Sequence, residues 1–204
     1  MRRSGDIANS LRRGESPTRK GAGETTLPGM RPSRRFTASL ALVWTAGLAG
    51  LVHAAFSLYW ALGGGWLLAT VGQWAVDLAA EAPLAAGLAL GLVAAAKLLG
   101  ATIPIGVAYG RVPRPRFWRG ISWVGGLVLT VYGAVNTIVA VAVLAEVIQP
   151  EGGYDADAMM GHAYLWDPLF LLWGAALLLS LWFSRRSSPG IRHHHLGDTR
   201  PARA

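Results

Sequence analysis

Two pairs of polar side chains stand four residues apart inside runs that are largely apolar: His53 with Ser57, and Tyr132 with Asn136. On a helix, an i, i+4 pair shares one face. An imidazole beside a hydroxyl can hold or pass a proton, and a phenol beside a carboxamide can orient a polar ligand by hydrogen bonds. A second group, Asp77, Glu81, His162 and Asp167, combines carboxylates with an imidazole, the types that acid–base chemistry on a lipid would need. Nothing in their spacing selects a reaction. The chain has no H-E-x-x-H, G-x-S-x-G, Walker or dinucleotide motif, so no catalytic residue is assigned.

Metal and cofactor chemistry finds equally little support. The stretch "EVIQPEGGYDADAMMGHAYLWDP" gathers Glu146, Glu151, Asp155, Asp157, His162 and Asp167, oxygen and imidazole groups that suit a divalent cation. Counted as an EF-hand from Asp155, however, it puts Met159 at the fifth position and Met160 at the glycine position. A solvated acidic loop is the simpler account. Cysteine is absent, which excludes disulfides, iron–sulfur clusters and c-type haem. Haem held by two axial histidines is disfavoured, because His53 is the only histidine within an apolar run. The triplet His193–His195 sits in a Gly/Arg/Pro-rich tail and reads as incidental. No metal site and no cofactor are expected. "WDP" reads as a helix start, with Asp167 as N-cap and Pro168 at the first helical position.

The elements that must hold these residues are membrane spans. From Ala38 to Leu62 no side chain carries a formal charge. Crossing ~30 Å of hydrocarbon takes ~20 apolar residues in a helix. Four segments qualify: 36–62, 83–109, 121–148 and 164–183. Lys97 lies within the second, where Pro104 and Gly106 suggest an end near Gly100 and a lysine that snorkels to the interface. The expected fold is an all-α membrane protein, four helices in a bundle over residues 36–184, with basic disordered tails at 1–35 and 185–204. Met30 is an alternative translation start.

Charge sets the direction. Lys and Arg number nine up to Arg35, none in 63–82, four in 111–119, none in 149–163 and five after Phe183. Such alternation predicts both termini in the cytoplasm and a multi-pass protein of the inner membrane. It also accounts for a pI near 10.8 without nucleic acid. Between the first two spans, Thr70, Gln73, Asp77 and Glu81 make one polar stripe, the pattern of an amphipathic helix lying on the outer interface. It would be a lid over the spans or an anchor that positions the second. Aligning Trp44 with Trp123 brings His53 onto Tyr132 and Ser57 onto Asn136, as two repeated helical hairpins would, although Ala- and Gly-rich helices also align by chance. The two polar pairs are then expected to face each other in the outer leaflet, where Gly47, Gly50, Ala54, Gly126 and Gly133 allow close helix approach.

Two stretches carry a resemblance, "HAAFSLYWALGGGW" and "GHAYLWDPLFLLWG". The matching positions are His53, Tyr59, Trp60, Ala61, Leu62, Gly63 and Gly64, then His162, Trp166, Asp167, Pro168, Phe170, Trp173 and Gly174. Here the chain resembles the domain-of-unknown-function 3995 family, small four-helix membrane proteins of high-GC bacteria. The resemblance implies the span count and no activity. The functional expectation is a non-enzymatic accessory or a ligand- or lipid-binding component. The alternative is a small transporter or ion-conducting oligomer. Its partners would be membrane lipids and a second copy or another membrane protein.

Overall fold

The computed structural model describes residues 34–185, and all regular structure among them is helical. Helix α1 (Arg34–Ala61) is followed by a 3₁₀ turn (Ala69–Val71) and the short α2 (Gln73–Glu81). Helices α3 (Pro83–Ala108) and α4 (Pro115–Leu144) each open with proline at the first helical position, where a missing N–H does no harm. Then α5 (Ala156–Gly161), a π turn (His162–Trp166) and α6 (Asp167–Arg185) run on as one continuous helix.

Four of these helices are long and apolar enough to cross a membrane: α1, α3, α4 and the Ala156–Arg185 helix. Their outward faces suit no other solvent. Leu84, Leu88 and Leu92 on α3, and Val124, Val128, Val131 and Val135 on α4, are all exposed at helical spacing. Apolar stripes of that extent are far beyond what a monomer keeps in water.

Helices α1 and α6 form the inner pair, α3 lies against α1 and α4 against α6, while α3 and α4 meet sparsely. Glycine makes the close approaches. A Cβ on Gly174 would fall 2.6 Å from the Thr130 nitrogen and 2.7 Å from the Gly126 oxygen. One on Gly50 would meet the Trp173 ring and Ala101, so small residues set these interhelical distances. Ala46, Ala49, Ala101, Trp173, Leu177 and Leu181 fill the space between α1, α3 and α6.

Charge divides the described residues into two ends. Seven arginines (34, 35, 111, 114, 116, 119 and 185) lie at the end where α1 begins, hereafter the basic end. At the opposite, acidic end lie Asp77, Glu81, Glu146, Glu151, Asp155, Asp157 and Asp167. The tails, Met30 and the His193–His195 triplet fall outside the described residues, apart from Arg34, Arg35 and Arg185.

Several local expectations are corrected. The last long helix starts at Ala156, well before Tyr164, because Asp155 is its N-cap: Asp155 Oδ1 accepts from Ala158 N at 3.1 Å. Asp167 is therefore no cap but a fully buried residue inside the helix. Pro168 removes a backbone donor and crowds the carbonyl four residues back, and the π turn ends at Trp166, two residues before it, widening the helix at that place. Helix α3 passes through Pro104 to Ala108 and does not end near Gly100. The amphipathic stretch is two elements, broken at Gly72, whose φ of 131° favours glycine. Gln73 and Asp77 stay on the exposed face, joined by a 2.9 Å bond, whereas Thr70 turns inward.

Candidate functional site

At the acidic end, side chains from all four long helices enclose a cavity of about 350 Å³. On α1, His53 and Ser57 are both buried, as their i, i+4 spacing requires if one face packs inward. His53 Nε2 lies 3.2 Å from the Trp166 carbonyl oxygen. A carbonyl only accepts, so Nε2 carries a proton. The imidazole stacks on Phe170, with centroids 3.8 Å apart and planes 18° from parallel. Helix α3 contributes Lys97, whose Nζ donates to Ser57 Oγ at 2.9 Å and stands 5.4 Å from the Phe170 ring centre. Side chains lean toward their helix N-terminus, which in α3 is the acidic end, so Lys97 reaches that way.

From the last helix come His162 and Asp167. His162 Nδ1 and Asp167 Oδ2 are 2.9 Å apart, the one ion-pair geometry among the described residues. The widened π turn begins at His162 and ends just before Asp167. Asp167 Oδ1 is buried and accepts no hydrogen bond among the described residues. A buried oxygen left unpartnered costs ~1–3 kcal/mol, more if charged, so it is an acceptor waiting for a donor. Trp60, Trp74, Trp166 and Phe170 supply aromatic walls. Trp166 is fixed by its Nε1–H, which donates to Thr70 Oγ1 at 3.0 Å. The Gly161 backbone packs so closely on Thr70 that a Cβ there would collide with the Thr70 oxygen.

The eight residues singled out from sequence divide into two sets. His53, Ser57, His162 and Asp167 gather at this cavity, and Tyr132 stands half-exposed at its rim, edge-on to Phe170 at 5.7 Å. Asn136 does not join them across helices: its Nδ2 returns to the Tyr132 carbonyl oxygen of its own helix at 2.8 Å. Asp77 and Glu81 are exposed on α2 and do not line the cavity. Sequence reasoning assigned Lys97 to the wrong environment and gave Phe170 no role. The signal for Lys97 was available, since it is the only basic residue deep within a span and intramembrane charge is a functional indicator by default.

Chemically the arrangement offers an ammonium donor, a carboxylate acceptor, an imidazole held in one orientation and aromatic faces. That set can bind a small polar or zwitterionic molecule. No group of three or more His, Cys, Asp or Glu among the described residues is arranged to hold a metal ion.

A family model described as protein of unknown function (DUF3995) matches residues 50–177. The chain belongs to the DUF3995 family. The matched region begins just before His53 and ends beyond Trp173, so it contains every residue of the acidic-end cavity, while Ser39, Ser180 and Ser184 at the basic end lie outside it. Searches of the curated proteins and of the solved structures find no match to this DUF3995 chain.

Proposed function

We propose that this DUF3995 protein is a multi-pass protein of the bacterial inner membrane, with both termini cytoplasmic and the cavity opening toward the outer face. It acts there as a non-enzymatic ligand-binding component. The four membrane-length helices and the sorting of arginines to one end support the topology. The observation that carries the binding reading is the unpartnered, buried Asp167 Oδ1 in a cavity that also holds Lys97. A cluster serving only to join helices would leave no such acceptor. The ligand class that fits is a small molecule bearing both a donor for Asp167 and an acceptor for Lys97.

Native mass spectrometry of the protein released from mild detergent tests this reading. A stoichiometric small adduct on the wild type, lost in Lys97→Met and His53→Ala variants that still fold, is the expected result. A bare wild-type protomer or homo-oligomer, after several gentle extractions, would sink the proposal and leave the cluster as interhelical glue.

A further inference from the structure

The basic end holds a second hollow of about 320 Å³, also walled by α1, α3, α4 and α6. Arg119 lines it, with Ser39, Ser122, Ser180 and Ser184. Arg119 donates from Nη2 to Ser184 Oγ at 2.9 Å and to the Leu181 carbonyl oxygen at 3.3 Å. Toward the described residues its Nε and Nη1 donors are unused. The serine hydroxyls donate to backbone carbonyls (Ser39 to Ser180 O, Ser180 to Ser39 O, Ser122 to Trp118 O), which leaves guanidinium as the chief free donor. Outside this lining, Arg185 sits over the Trp123 ring at 4.2 Å. Among the described residues no carboxylate lies within ion-pair reach of any arginine.

This hollow shares Pro104, Ser122 and Leu177 with a larger one of about 520 Å³ in the gap between α3 and α4. The larger hollow is walled by Leu99, Ile103, Ile121, Gly125, Val128 and Leu129, and is almost wholly apolar. It follows α4 from Trp118 to Leu129, ~16 Å at 1.5 Å per residue. A cationic compartment that shares walls with an apolar trough has the form of an amphiphile.

We propose that the two hollows are the head and tail compartments of one binding site for an anionic phospholipid. Its phosphate lies on Arg119, and one acyl chain runs along the cleft between α3 and α4. The planar guanidinium fork matches phosphate oxygens two at a time, and the surrounding apolar walls strengthen the attraction. The trough selects a lipid over free phosphate, which has nothing to place there. This site is separate from the acidic-end cavity and stands or falls independently of it.

The test uses the full chain, delipidated in detergent and titrated with phosphatidylglycerol or phosphatidylcholine, with bound lipid counted by native mass spectrometry. The wild type should hold one phosphatidylglycerol about tenfold or more tightly than phosphatidylcholine, the scale of a charge-assisted hydrogen bond. Arg119→Gln should abolish that preference, and Arg119→Lys should retain only part of it. A Cβ on Gly125 meets no atom within 4 Å, so Gly125→Leu fills the trough without disturbing helix packing. It should weaken retention of both lipids while the melting temperature stays unchanged, and it keeps the proposal testable if Arg119→Gln fails to fold. Equal affinity of the wild type for the two lipids would overturn the proposal, as would an unaltered preference in Arg119→Gln. Displacement of the bound anion by millimolar inorganic phosphate, with Gly125→Leu without effect, would assign the site to free phosphate and overturn the lipid.

Discussion

The two ends of the bundle are built from the same four helices and treat charge in opposite ways. At the acidic end, Asp167 meets His162 and Lys97 meets Ser57, so charged groups find partners inside the chain, with one carboxylate oxygen to spare. At the basic end, Arg119 meets a hydroxyl and a carbonyl but no anion. The first end is nearly self-sufficient and discriminates through a few placed groups. The second is incomplete by a negative charge, and what completes it comes from outside the described chain. One bundle thus carries two kinds of polar hollow, and substitutions should affect them separately unless they strike the helices common to both.

The largest effect is expected where the two ends share support. Gly174 lets α6 touch the α4 backbone at Gly126 and Thr130, midway between the hollows. Gly174→Leu forces these helices apart, at a cost of ~3 kcal/mol or more, the upper part of the overpacking range. Thermal melting in detergent should show a large loss, with ligand and lipid retention falling together. A variant that melts like the wild type would mean that the seam does not couple the ends.

Asp167→Ala comes next and should act at one end only. It removes the carboxylate that holds His162, a charge-assisted bond contributing ~2 kcal/mol. The melting temperature should fall and the proposed cavity ligand should be lost, while phosphatidylglycerol preference at the basic end persists. Loss of both binding properties in a folded variant would contradict the independence of the two sites.

How much of this was legible in the sequence differs with the range of the interaction. The number of long apolar helices follows from hydropathy, because hydrocarbon tolerates few charges over the length of a span. The burial of His53 and Ser57 follows from i, i+4 spacing in an apolar run. Three things were not legible. The extra turns before Tyr164 depend on Asp155 capping a helix whose first residues, Ala156 to Gly161, look like loop. The break at Gly72 depends on a backbone conformation that a polar stripe does not reveal. The meeting of Lys97 with Ser57 depends on the vertical register of α1 against α3, which small residues such as Gly47 and Gly87 set through backbone proximity. Asn136 illustrates the converse: its spacing from Tyr132 is right for a shared face, yet the amide is satisfied locally and needs no partner helix.

Lys97→Met sharpens the comparison through the smallness of its effect on stability. The substitution removes one bond to Ser57, and intramembrane hydrogen bonds average only ~0.6 kcal/mol. Replacing the ammonium with an apolar chain of similar length offsets part of even that. Melting should therefore shift little. Ligand retention at the acidic end should be lost nonetheless, a division that a purely structural lysine would not produce. A large destabilisation without loss of the adduct would make Lys97 a packing element.

The smallest effect concerns Asp155, outside the spans, and separates the ends by pH. Its carboxylate accepts first from Ala158 N, capping α5, and also from Gln73 N at the start of α2, so one side chain ties two helix openings together. The Ala158 bond foremost holds its pKa below the ordinary 3.8; desolvation opposes it, and the Gln73 and Asp157 N–H groups add to the lowering. A carboxyl whose folded pKa is depressed adds stability above the unfolded value. That contribution fades as pH falls from about 3.8 through the lower folded pKa. Asn caps helices about as well as Asp, so Asp155→Asn keeps the Ala158 cap and removes the titration together with the Gln73 bond, which an amide nitrogen cannot accept. The wild type should melt slightly above the variant near neutral pH, and it should lose more as the solution is acidified below pH 4, so the gap narrows. Parallel curves throughout would mean that the folded carboxylate does not hold both N–H groups. The basic end has no carboxylate among the described residues to titrate in that range, so the differential acid loss should leave Arg119-dependent lipid preference untouched.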